Sequence, residues 1–255
     1  MLLTDGNPNT TEDLRAYESA ILSVANTETI DLGVKLGLAT EEVTQEVVDF
    51  LLNRSGGADP QAGARRAVGV ADVVVTRQMK RWHALHALEV VYRDAFNNQL
   101  NDRYKAKFFE YKKLAAQARM QTLQFGVGLV YRPVPVAERP VFSFAVGPFE
   151  STTYFARVAW VSSTGQEGLA SEVTTYDAPP GSVPVVEAVN PPGNAAGFLV
   201  YLGVTEQGLQ RQNGSPVAVG QAFTLPSGGL VTGIAPGDGQ APDVYLAGTR
   251  VMRRG

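Results

Sequence analysis

The chain contains no cysteine and only two histidines in 255 residues, and those two, His83 and His86, lie a single helical turn apart. The missing thiols exclude disulfides, thiolate metal sites, iron–sulfur clusters and cysteine nucleophiles together. With imidazole confined to one stretch, a serine nucleophile has no base elsewhere, and no Gly-x-Ser-x-Gly elbow occurs. An excess of one charge is missing too. The 22 Lys and Arg nearly balance the 25 Asp and Glu, for a net charge of -3. Bulk electrostatics therefore does not single out nucleic acid or an anionic membrane as partner, and any such contact has to be local. No apolar run approaches the roughly 20 residues of a membrane-spanning helix. Behind Leu2 and Leu3 come Asp5, Gly6, Asn7 and Pro8, without the basic start and apolar core of a secretory signal. The expectation is a protein made and used in soluble form, without contact to a membrane.

What is present begins with a long helical signal. From Asp72 to about Thr122 the sequence reads as two helices joined near Asn97–Asn101. In the first, Val75, Met79, Trp82, Leu85, Leu88, Tyr92 and Phe96 recur three or four residues apart, which stacks them on one face. In the second, Leu100, Tyr104, Phe108, Tyr111, Leu114 and Ala118 do the same, and neither helix holds an internal Pro or Gly. Upstream, residues 1–9 read as a polar arm outside the core. Thr10 and Asp13 open a helix expected to run to about Val24, and Thr40 before Glu41 and Glu42 caps another. Gly33 and Gly37 are expected to loosen the segment between them. The Gly-rich stretch 53–69 is a loop; no strand precedes it and no Gly-Lys-Ser/Thr closes it, so it is not a phosphate-binding loop of the Walker kind.

After Thr122 the character changes. Gly126, Gly128, Pro133, Pro135 and Pro140 make a stiff connection, and from Val141 short β-rich segments alternate with Gly/Pro turns. The strands are expected at 141–146, 153–161, 172–176, 183–189, 198–204, 216–219, 222–225 and 245–251. Short strands with no helical pattern between them argue for an antiparallel sandwich. Tyr154–Ser162 followed by Gly165, Glu167 and Ser171 resembles the F and G strands of a fibronectin type III module, and Gly197–Gly203 is similar to its C strand. In that family C precedes F and G; here it follows them, so the resemblance implies one sandwich of permuted strand order.

The fold class expected is therefore α+β in two domains: a helical bundle with a long hairpin, then an antiparallel fibronectin/immunoglobulin-like sandwich. The division is expected as 1–123 helical, 124–140 Gly/Pro-rich linker, 141–226 sandwich, and 227–255 flexible loop and C-terminal tail. His83, His86 and Glu89 have the spacing of ligands on one helix side, yet His86 falls by the apolar stripe, so no metal, no cofactor and no catalytic residue is assigned. An enzyme is not expected. On the second long helix Lys105, Lys112 and Arg119 lie on one flank of the stripe, Arg103 and Lys107 on the other and Lys113 behind, a spread that fits a solvated or partner-facing helix better than a groove reader. Phe109 stands opposite the stripe, either a contact with a neighbouring subunit or covered by another helix of the same domain.

Tyr92–Gln99, Leu100–Lys107 and on through Phe109, Glu110 and Tyr111 resemble the helical core of tailed-bacteriophage head-to-tail adaptor proteins, also called connector or head-completion proteins. The likeness covers about a third of the chain. It implies a virion protein of the head–tail neck, assembled in the host cytoplasm as a homo-oligomeric ring, commonly of twelve. The ring would dock under the portal protein, present a surface to the tail or next neck protein, and surround non-specifically the DNA in the exit channel. The β-domain would reach a neighbour or the capsid. On this reading the interface residues are Phe109 and Tyr111 for packing, Lys105, Lys112 and Arg119 for inter-subunit or lumenal charge, and Val244, Tyr245, Arg250 and Arg253 of the tail for partner capture. The alternative is a soluble binding or adhesion protein carrying a fibronectin-like module on a helical stalk.

Overall fold

The computed structural model describes residues 1–55, 68–99 and 102–248. They form a mixture of helices and antiparallel sheets, divided into two compact units. One comprises Gly6–Tyr131 and the chain from Pro242, the other Met1–Asp5 and Arg132–Ala241.

In the first unit, Thr10 caps α1 (Thr11–Tyr17) through a reciprocal box with Asp13. The helix expected to continue to Val24 stops because Glu18 takes extended dihedrals; a second helix, α2 (Ile21–Glu28), follows and ends at left-handed Thr29. α3 (Leu32–Ser55) begins well before Thr40. Asp31 Oδ1 accepts from the backbone of Gly33 at 2.8 Å and Val34 at 3.1 Å, so the cap lies upstream and both glycines are helical. Thr40 becomes an interior residue whose hydroxyl reaches back to the Leu36 carbonyl.

A two-residue strand, β1 (Val73–Val74), precedes α4 (Arg77–Gln99), α5 (Lys105–Phe125) and β2 (Val127–Leu129). Aromatic rings fasten α4 to α5: Tyr92 stacks on Tyr111 at 5.4 Å and Phe96 on Phe108 at 6.2 Å, in antiparallel sense. Lys35 meets Asp94 at 2.7 Å and Glu42 meets His86 at 2.6 Å, so α3 also runs against α4. Met79, Trp82, Leu88, Val43, Leu14 and Ile21 fill the core.

The second unit holds β3 (Val141–Phe149), β4 (Thr152–Ser162), β5 (Thr174–Ala178), β6 (Ser182–Glu187), β7 (Ala195–Gly203), β8 (Gln210–Arg211), β9 (Val217–Ala218) and β10 (Phe223–Thr224). One antiparallel sheet has the order β10-β6-β3 and the other β5-β4-β7-β8, with β9 also on β7. Trp160, Phe198, Val158, Val200, Val186 and Leu225 belong to the core they share. The strand after β4 is β5, beyond Ser171; the expected strand near Gly165–Ser171 is instead a turn-and-bridge segment along β4.

Three expectations change. Leu2 and Leu3 are buried rather than part of a polar arm. The stretch 124–140 contains β2 and the buried Val134 and Ala137. Residues 227–241 are fastened rather than loose: Gln212 exchanges hydrogen bonds with the backbone of Val231, and the buried Gln240 donates to the Arg132 carbonyl at 3.0 Å and accepts from Val134. A last strand, β11 (Val244–Leu246), pairs with β2.

Candidate functional site

The first unit concentrates its polar side chains where α3, α4 and α5 meet. Between α3 and α5 opens a groove of about 440 Å³, walled by Glu42, Glu46 and Asp49 on one side and Lys112 and Arg119 on the other, with Trp82, His86 and Glu89 on its floor. His86 presents Nε2 to Glu42 at 2.6 Å and Nδ1 to Glu89 at 3.1 Å. Burial disfavours its charge, but hydrogen bonds and charges from Glu89 and Glu42 outweigh that and raise its pKa above the ordinary value. Arg119 crosses to Glu46 at 2.6 Å. The groove thus holds a pH-responsive imidazolium between carboxylates.

His83 faces the other way. Its Nδ1 lies 2.9 Å from Asn9 Nδ2, which must donate, so the ring proton sits on Nε2, facing the Thr40 hydroxyl at 2.8 Å and the Leu36 carbonyl at 3.3 Å. Burial holds the imidazole down to about 4, against the Leu36 hydrogen bond and with the help of His86's charge, so at neutral pH it is a neutral clamp tying the N-terminal arm to α3 and α4. The two histidines face different partners, and among the described residues no group of three or more His, Asp and Glu has metal-site geometry.

The residues singled out on α5 fall into two sets. Tyr111 is buried, its ring on Tyr92 and its hydroxyl donating to Glu18 at 2.9 Å; it packs the chain's own core and presents no surface to a partner. The same Glu18 takes Lys107 at 2.8 Å. Burial would raise the Glu18 pKa, yet the Lys107 and Tyr111 hydrogen bonds bring it below the usual carboxylate range. Lys105 pairs with Asp102 at 3.1 Å and Lys112 lies 5.7 Å over the Phe108 ring. Phe109 is 54% exposed on the face turned from the core, and Met120, about three turns along the same face, is 53% exposed. Met120 was not singled out in the sequence, although its position three turns from Phe109 marks it.

No protein-family model matches the chain, and no curated protein matches it.

Val244 and Tyr245, expected in the C-terminal tail with a strand starting at Tyr245, are strand residues: Val244 faces Leu129 and Tyr245 faces Gly128 across the β2–β11 ladder. Their side chains are exposed and help line a second cavity of about 540 Å³ with Leu129, Val130 and Tyr131. Gly128 permits this contact, since a Cβ there would meet Pro242 and Thr76 at 3.0 Å. Arg250 and Arg253 lie outside the described residues.

Proposed function

We propose that this chain is a structural subunit of a phage head–tail neck ring, joining the portal protein to the tail or the next neck protein around the DNA exit channel, with no catalytic role. One observation carries the reading. α5 is a six-turn helix that gives its Tyr111, Ala115, Ala118 and Thr122 face to the chain's own core and leaves Phe109 and Met120 on the opposite face in solvent. Large apolar side chains aligned on the free face of a rigid hairpin are what a subunit–subunit contact needs. The basic residues favour this over a DNA-reading helix, because Lys105, Lys107 and Arg119 are each paired with a carboxylate of the same chain.

The strand order supports a fibronectin-like sandwich of altered connectivity. In immunoglobulin-type sandwiches one sheet carries A, B and E and the other C, F and G. β3-β6-β10 takes the places of A-B-E and β5-β4-β7 those of G-F-C, with the F–G pair moved in the chain to lie between A and B. β3 leaves Phe144 and Val146 exposed at a sheet edge, which fits a role for this half in contacting a neighbour or the capsid.

The test is negative-stain imaging with multi-angle light scattering of the purified chain, alone and mixed with the portal protein. A closed ring, alone or on the portal, is expected; a monomer indifferent to portal overturns the proposal.

A further inference from the structure

Two helices of the first unit carry matching seams on their outward faces. On α3, Val34, Leu38, Glu41, Gln45, Val48 and Leu52 follow one another at alternating steps of four and three residues, on the side opposite the buried Leu36, Ala39, Val43 and Val47. Val34 and Leu52, at its ends, are 63% and 66% exposed. On α5, Ala106, Phe109, Lys113, Ala116, Met120 and Leu123 follow at steps of three and four, again opposite the buried side. That alternation is the heptad spacing by which two helices pack along a seam.

The two seams are complementary in charge and in register. On these two helices Glu42 pairs with His86, Glu46 with Arg119, Lys107 with Glu18 and Lys105 with Asp102 inside the chain, whereas the exposed Glu41 of α3 and Lys113 of α5 face outward. Each seam has apolar ends and one ionic residue, Glu41 on α3 and Lys113 on α5, and neither has an ion-pair partner within the described chain. Laid side by side in the same direction, the seams stay within one residue of each other throughout, about 1.5 Å. Glu41 then meets Lys113, Leu38 meets Phe109 and Val48 meets Met120. Reversed, Glu41 meets Ala116 and Lys113 meets Gln45, so the ionic pair is lost.

We infer that the outward face of α3 in one copy docks in parallel on the outward face of α5 in the next copy, with Glu41–Lys113 fixing the register. This rests on the ring reading above and names its contact. α3 and α5 each run against α4, so within one chain they point the same way. Rotation about an axis along the helices preserves that direction, and it brings α3 of one copy beside α5 of the next in the parallel sense the ionic residues require. The two faces differ, so the contact is head-to-tail, the kind that builds a ring when the rotation from copy to copy closes. A buried ionic or polar layer within an apolar seam selects register and partner more than it adds affinity.

The test uses the full chain in sedimentation velocity across a concentration series, with circular dichroism confirming that each variant keeps its helices. Glu41→Lys and Lys113→Glu each place like charges in every contact, and each is expected to weaken self-association at least about tenfold. The double variant in one chain regains it. An equimolar mixture of the two single variants also regains it, because every contact between unlike copies is again Lys with Glu. Single variants that assemble like the wild type, or a double variant and a mixture that stay dissociated, overturn the α3–α5 contact while a wild-type ring still upholds the ring reading. A wild-type chain that remains monomeric up to about a millimolar overturns the contact as well, whereas the ring reading falls separately if imaging with portal shows no ring.

Discussion

His83 is the side chain whose protonation the fold opposes most directly. Its folded pKa of about 4 lies below the ordinary 6.5, so above pH 6.5 the folded and unfolded chains are equally neutral there and it contributes no pH dependence. As pH falls from 6.5 toward 4 the unfolded chain takes up a proton that the folded chain refuses, and stability drops. About 1.5 kcal/mol is expected to be lost between pH 6.5 and 5 from this group alone. Urea midpoints of the wild type and His83→Gln at both pH values check it: the variant is less stable at pH 7 and loses less on acidification. His86 works in the opposite direction. Its pKa is raised, so its contribution is complete below 6.5 and disappears as pH rises through the folded value. Glu42→Gln is expected to lower the His86 pKa, read by the imidazole proton shifts in NMR, and no change would remove Glu42 as the cause. At Tyr111, loss of the hydroxyl in Tyr111→Phe leaves the ring on Tyr92 but deprives Glu18 of a donor, for an expected cost of about 1 to 2 kcal/mol in chemical denaturation.

At the scale of elements, α3 shows how a tertiary cap and packing override local signals. Two glycines near its start suggest a break, yet Asp31 caps it and Leu36, Ala39 and Val43 bury its inner stripe. Gly37 is therefore an ordinary helical residue with open space where a Cβ would stand. Gly37→Ala is expected to raise stability by about 0.5 to 1 kcal/mol, visible as a higher melting temperature, by narrowing the unfolded ensemble. The hairpin α4–α5 was legible because its apolar stripe repeats over many turns, and β3, β4, β6 and β7 were legible because alternation and turn residues bound them. β1, β2 and β8 were not: two or three residues give no period to read, and these strands exist only through their pairing. Among candidate site residues, the outward position of Phe109 follows from helical geometry alone. Tyr111 was misplaced because a residue on the inner stripe can pack against its own chain or a neighbour, and the periodicity is the same for both.

For the whole molecule, the first unit is discontinuous in sequence. Its chain leaves at Tyr131 and resumes at Pro242, and the two ends are tied there by Tyr131 N to Asp243 Oδ2 at 2.9 Å and Asp243 N to the Leu129 carbonyl at 2.8 Å. A shortened chain joining Tyr131 to Pro242 through a few Gly and Ser residues is therefore expected to keep a cooperative helical melt, whereas one ending at Tyr131 loses β11 and melts lower. Equal melts for the two would show that β11 adds nothing. The sequence by itself determined where helices and strands can form, which side of each is apolar, and the absence of thiol chemistry, because these depend on composition and on periods of 3.6 and 2 residues. Tertiary structure alone decided that Leu2 and Leu3 are buried, that His83 and His86 serve different neighbours, and that the segment around Tyr245 completes a sheet begun at Val73. Those outcomes join residues far apart in the chain. What fixes them is the requirement that buried donors and acceptors find partners and that apolar surfaces meet, and neither condition leaves a local pattern in the sequence.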